Sequence, residues 1–122
     1  MFPNFENATI NGKPLTEVIN DEKYLKNDFC SRVAKRGSEV LHAKGFSSVF
    51  PAGKALCDHL HDWYHGSSET VSMGVYSNGA RYNIPAGIYF SMPVHCTGGF
   101  GYEVDTSVQL TEYGISKLKT TT

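Results

Sequence analysis

Apolar and polar positions follow two different spacings along this chain, and the change comes near residue 70. Leu15 to Ile19 form a short local turn of structure. Beyond them Leu25, Phe29, Val33, Val40 and Leu41 recur at helical spacing as far as Lys44, which predicts an amphipathic helix. Asn20 is a suitable N-cap for it, and Asp21 and Glu22 put negative charge on its positive end. Gly45 supplies a left-handed stop, and Gly37 marks a place where the helix can bend. A second helix is expected after Ser48, because Pro51 is tolerated in a first turn and Ala52, Leu56, Leu60 and Trp63 form one apolar stripe ending at Gly66.

From Thr70 the spacing is that of strands. TVSMGVYS, the turn pair Asn78-Gly79, IYFSMPVHC, the glycine-rich TGGFG and a short GYEVD predict an antiparallel β-meander. The tail, with Leu110, Tyr113 and Leu118 weakly periodic, returns to helix.

Composition narrows the class. A chain of 122 residues that is 40% hydrophobic and 12% aromatic has the material for one packed core, so one folded unit is expected. With a net charge of -1 and its 11 Lys and Arg scattered singly, it presents no field for nucleic acid or anionic lipid. Neither partner is expected. Cys30, Cys57 and Cys96 have no CxxC spacing and read as reduced thiols, which favours the cytoplasm. No apolar run approaches the roughly 20 residues of a bilayer span, and the first residues, MFPNFENATINGKP, have no export pattern.

The densest chemistry is CDHLHDWYH at 57–65. On a helix His61 and His65 share a face, a separation at which two imidazoles can meet one metal ion. A structural zinc takes about four ligands and a catalytic one about three. The neighbouring Asp58 and Asp62 lie on the same outward surface, and no Glu stands where an HExxH motif puts its base. The expectation is a solvated helix face and no metal. Adjacent His95 and Cys96 point to opposite faces of a strand, so Cys96 is expected in the core. TGGFG lacks GxGxxG spacing and lies between strands, so it reads as a hairpin turn and not a phosphate cradle. Ser48 stands before a helix whose free N–H groups can meet an anion, although capping alone accounts for it. These residues contain no complete catalytic constellation.

Taken in order, ATINGKPLTEVIND, KRGSEVLHAKGFSS, ALCDHLHDW and VSMGVYSNGARYNIPAGIYFSMPV closely resemble the C-terminal half of the lactate/malate dehydrogenase family, in its cytosolic malate dehydrogenase branch. The resemblance implies an α+β fold, two long helices packed on an antiparallel β-meander, with residues 1–122 forming a C-terminal substrate domain cut at both ends. It implies an NAD-dependent oxidoreductase that interconverts malate and oxaloacetate, a homodimer in which some of Leu56, Leu60, Trp63 and Tyr64 meet a partner subunit. The family's catalytic histidine, in a GNHS-like motif, falls before the segment that Met1 begins, so Met1 reads as an internal methionine. No catalytic residue is therefore expected here; the isolated chain is expected to be inactive, not to bind NAD, and to self-associate or be marginally stable. The resemblance turns Ser48, Val49 and Ala52 toward nicotinamide and substrate. Two departures bear on that pocket: where the family usually reads SSAxSAA this chain reads SSVFPAG, so Val49 adds bulk and Pro51 replaces a hydroxyl. The alternative is a non-catalytic binding or interaction module that reuses the half-fold, with metal held by His61 and His65.

Overall fold

Local hydrogen-bond chemistry sets the element boundaries in the computed structural model, which describes residues 2–121. The chain divides into two units, Met1–Ser48 with Gln109–Thr122, and Val49–Val108.

In the first unit a 3-10 turn at Phe5–Asn7 leads into a two-stranded hairpin, β1 (Thr9–Ile10) and β2 (Lys13–Pro14). Asn11 and Gly12 join them with φ of 50° and 76°. Two consecutive positive φ values make a tight primed turn, and Asn-Gly accepts that conformation with little strain. Helix α1 (Leu15–Ile19) follows, as the sequence predicts. Asn20, however, is not the N-cap of the next helix. It ends α1 in the left-handed conformation, φ 47°, its N–H donating to the Thr16 carbonyl. The capping side chain is Asp21, whose carboxylate accepts from the Tyr24 N–H at 2.9 Å. Asn tolerates the left-handed region better than most residues, and that preference outcompetes its capping role here.

The helix then opens with a π-helical segment, Tyr24–Phe29, before becoming regular α2 (Cys30–Lys44). Its irregularity thus lies upstream of Gly37, which sits inside α2. Gly45 terminates α2 as predicted, φ 75°, donating to the Leu41 carbonyl at 2.8 Å. Helix α4 (Glu112–Thr121) belongs to this unit. Tyr113 from α4 donates its hydroxyl to the Lys26 carbonyl at 2.9 Å, and its ring lies against Phe2 and Phe5. Burial beside the Cys30 thiol pushes the Tyr113 phenol up from its ordinary value. Phe5 and Leu25 are the buried apolar side chains of this unit among the described residues.

In the second unit, α3 (Val49–His65) precedes a three-stranded antiparallel sheet ordered β3 (Val71–Tyr76), β4 (Tyr89–Gly98), β5 (Gly101–Val104). Val71 faces Val94 and Tyr76 faces Tyr89, which puts Met73, Val75, Met92, Val94 and Cys96 on one face. All five are buried, as period-two alternation requires. Trp63 of α3 and Val104 of β5 pack against them. Helices and antiparallel strands thus combine as the α+β class predicts.

The Asn78-Gly79 pair does form a turn, with the Asn78 side chain accepting from the Ala80 N–H at 3.0 Å. It is not a two-residue hairpin. β3 and β4 are joined by a loop over 77–88 that is tied across its base by Ser77, whose N–H reaches Ile88 and whose carbonyl accepts from Gly87. Ile84, 2% exposed, plugs this loop into the core. Five apolar residues between the turn pair and β4 make a loop that must bury one of its own side chains to close.

Candidate functional site

Ser48 is half-buried and immediately precedes α3, the place its capping chemistry predicts. Val49, Phe50, Pro51 and Ala52 form the first turn and are all exposed. Val49 is 63% open and Phe50 90%, a high value for large apolar side chains. Pro51 lacks an N–H, so one of the amides left free at a helix start is missing there. The first cation along the helix is already engaged: Lys54 Nζ donates to both Asp58 carboxylate oxygens at 2.7 Å. That pair raises the Lys54 ammonium above its ordinary value. The helix start is therefore an uncharged, apolar rim with a hydroxyl beside it and no ionisable side chain in its first turn.

The other end of α3 is fastened tightly. Gly99 N–H donates to the Tyr64 carbonyl at 2.8 Å and Phe100 N–H to the Trp63 carbonyl at 3.1 Å, so the TGGFG turn satisfies the last carbonyls of the helix. Trp63 Nε1 returns a bond to the Phe100 carbonyl at 2.6 Å, with the two rings edge-to-face at 5.2 Å. Gly66, φ 95°, lies where an added Cβ would stand 3.2 Å from the Cys96 carbonyl oxygen, so both its conformation and its surroundings require glycine. The fastening explains the glycine-rich stretch. The amides of Gly99 and Phe100 are spent on the helix and leave that turn with no dinucleotide-binding role.

The remaining candidates separate cleanly. Cys96 is buried with Sγ 3.4 Å from Met73 Sδ, while His95 faces outward. They do not form a thiolate–imidazole pair. His95 instead joins a knot the sequence reading missed. The Thr70 hydroxyl donates to Asp105 Oδ2 at 2.6 Å, and His95 Nε2 lies 3.1 Å from the same hydroxyl. A hydroxyl has one proton, so His95 is the donor across that contact. Asp105 also accepts from the Ser107 hydroxyl at 2.6 Å and the Ser107 N–H at 2.8 Å. The Ser107 and Thr70 bonds, with His95 nearby, hold its carboxyl down at about 2. The available signal was Asp-x-Ser after a strand, which reads as a side-chain-closed turn. One imidazole nitrogen faces both partners, so this is a structural knot and not a relay. His61 and His65 lie side by side on α3, and among the described residues no group of three or more His, Cys, Asp or Glu side chains is gathered as a structural or catalytic zinc would require.

The sequence pattern of the lactate/malate dehydrogenase alpha/beta C-terminal domain matches residues 1–122. The chain belongs to the lactate/malate dehydrogenase family. The cytoplasmic malate dehydrogenase of Mesembryanthemum crystallinum is 41% identical over 104 residues, covering 80% of this chain and 31% of that protein. The crystal structure of malate dehydrogenase from Naegleria fowleri superposes with a TM-score of 0.86 at 38% identity, over 97% of this chain and 36% of that one. Trichomonas vaginalis lactate dehydrogenase, in complex with NADH and oxamate, gives 0.82 at 27%, over 93% and 35%. This chain spans about a third of such dehydrogenases, from 31% of the Mesembryanthemum crystallinum relative to 38% of a Dictyostelium discoideum one. No helix among the described residues of this family member is long and apolar enough to cross a membrane.

Proposed function

We propose that this chain is the substrate-domain portion of an NAD-dependent malate dehydrogenase, acting in the cytoplasm on malate and oxaloacetate. The reaction is reversible hydride transfer between malate and NAD. The observation that carries this reading is the family match over residues 1–122, joined to 38% identity with a malate dehydrogenase of known structure.

Within such an enzyme, Ser48, Val49 and Ala52 form the wall facing nicotinamide and substrate. The exposed first turn of α3 supports that role for Val49 and Ala52, whose side chains are not committed to the unit's own core. No residue of this chain is assigned to proton transfer, and NAD is held by the part of the enzyme that these residues do not supply. The apolar stripe of α3 serves a homodimer.

Two measurements test the reading. The chain mixed with NADH and oxaloacetate should show no absorbance loss beyond the buffer control, and turnover would refute the absence of a proton donor. Joined to the N-terminal portion of the Naegleria fowleri enzyme, it should reduce oxaloacetate in preference to pyruvate, with Val49→Ala changing KM more than kcat. A folded chimera that prefers pyruvate would overturn the malate assignment.

A further inference from the structure

His61 and His65 lie on α3 with ring centroids 4.6 Å apart and planes inclined by 39°. The His61 side chain is 68% exposed, and His65 is exposed as well. Metal–imidazole bonds are about 2.0–2.1 Å long, so two nitrogens sharing one ion stand about 3 Å apart. Rings already this close reach that separation by turning about their side-chain bonds, with no change in the helix.

The surroundings favour ligation by these two groups and no others. Asp62 Oδ1 lies 3.7 Å from His61 Nδ1, too far for a hydrogen bond, so it does not hold the ring against turning toward His65. Asp58 is occupied by Lys54. No third protein ligand is gathered among the described residues, so water completes the coordination and the ion exchanges readily.

We propose that His61 and His65 form an exchangeable site for a borderline divalent transition metal of the nickel and zinc class on the outer side of α3. Paired imidazoles suit those ions, whereas calcium and magnesium require oxygen ligands. The site does not depend on the dehydrogenase reading.

Titrating nickel chloride into the 122-residue chain by calorimetry should show one ion per chain. His61→Ala and His65→Ala should each weaken binding by about tenfold or more, the order expected when support for a metal site is lost. His59→Ala should leave it unchanged, since residue 59 lies on a different helix face from 61 and 65. Equal weakening by His59→Ala, or unchanged affinity in either of the first two variants, overturns the site. A second readout needs no substitution: paramagnetic Ni(II) should broaden the imidazole proton signals of His61 and His65 first, and earlier loss of those of His42, His59 or His95 overturns it equally.

Discussion

The inner face of the sheet and the outward stripe of α3 contain similar residues and meet opposite fates. Met73, Val75, Met92, Val94 and Cys96 are all nearly inaccessible. Val49, Leu56, Leu60 and Tyr64, set at steps that keep them on one side of a helix, are all exposed. The sheet succeeds because β3 and β4 pair over six registered residues, so its buried side chains fill one continuous layer. The helix is tied down at its last turn, by backbone bonds to Gly99 and Phe100 and by Trp63, whose indole bonds the Phe100 carbonyl and packs on the sheet core. Hydrophobic patterning therefore specifies which side of an element is to be buried, while the extent of burial depends on what lies opposite. In this chain the sheet layer supplies its own partner and the helix stripe does not.

The largest effect should come from the sheet side. Ile84 is buried at 2% and holds the 77–88 loop on the core. Ile84→Ala should cost about 3 kcal/mol, the range for emptying a well-packed core site, visible as a lower denaturant midpoint. A loss under about 1 kcal/mol would mean that the loop closes through Ser77 alone and that the layer is less tightly filled than its burial implies. The matching substitution on the other region, Leu60→Ala, should stay within about 0.5 kcal/mol.

A smaller effect concerns how the open edge of the sheet is held. Asp105 donates its N–H to the Pro93 carbonyl at 2.9 Å while its side chain gathers Thr70 and Ser107. Its folded carboxyl titrates at about 2, below the ordinary 3.8, so the stabilisation it gives is fully present above 3.8 and is lost as pH falls through about 2. Asp105→Asn should be less stable than the parent at neutral pH, and the difference should shrink over that acidic window. Parallel stability curves for the two proteins, with no convergence in acid, would show that the ionised carboxylate is not what holds the knot.

Much of this architecture is legible in the residues. Period-two runs located β3, β4 and β5, and Gly45 and Gly66 ended helices where expected. Position-specific competition was not legible. Asn20 suits both a left-handed helix end and an N-cap, and only the backbone hydrogen bond to Thr16 decides between them. Tyr24–Phe29 keeps helical periodicity, so spacing alone cannot reveal its wider π turn. The loop over 77–88 was hidden because Asn78-Gly79 is a sufficient hairpin signal by itself, whereas Ile84 acts through distant core contacts. The hairpin at Asn11-Gly12 had its signal in plain view. The Ser48–Ala52 rim was reached through resemblance, since one Ser at a helix start has no chemistry of its own that distinguishes a pocket from a cap.

The smallest effect on stability should come from the exposed apolar side chains of α3, Phe50 in its first turn and Leu56 on the stripe, and there the informative readout is association. Phe50 and Leu56 are 90% and 59% exposed, so removing them takes little from the fold of this unit. Phe50→Ala with Leu56→Ala should leave the unfolding midpoint within about 0.5 kcal/mol of the parent, because Ala is also the best helix former. Large exposed apolar surface drives contact between molecules, so sedimentation of the parent should show association that rises with concentration, and the double variant should show less. A variant that is markedly destabilised yet equally associated would reverse the contrast, making the stripe part of the core after all. An undiminished stability with lost association would place its hydrophobic energy between molecules.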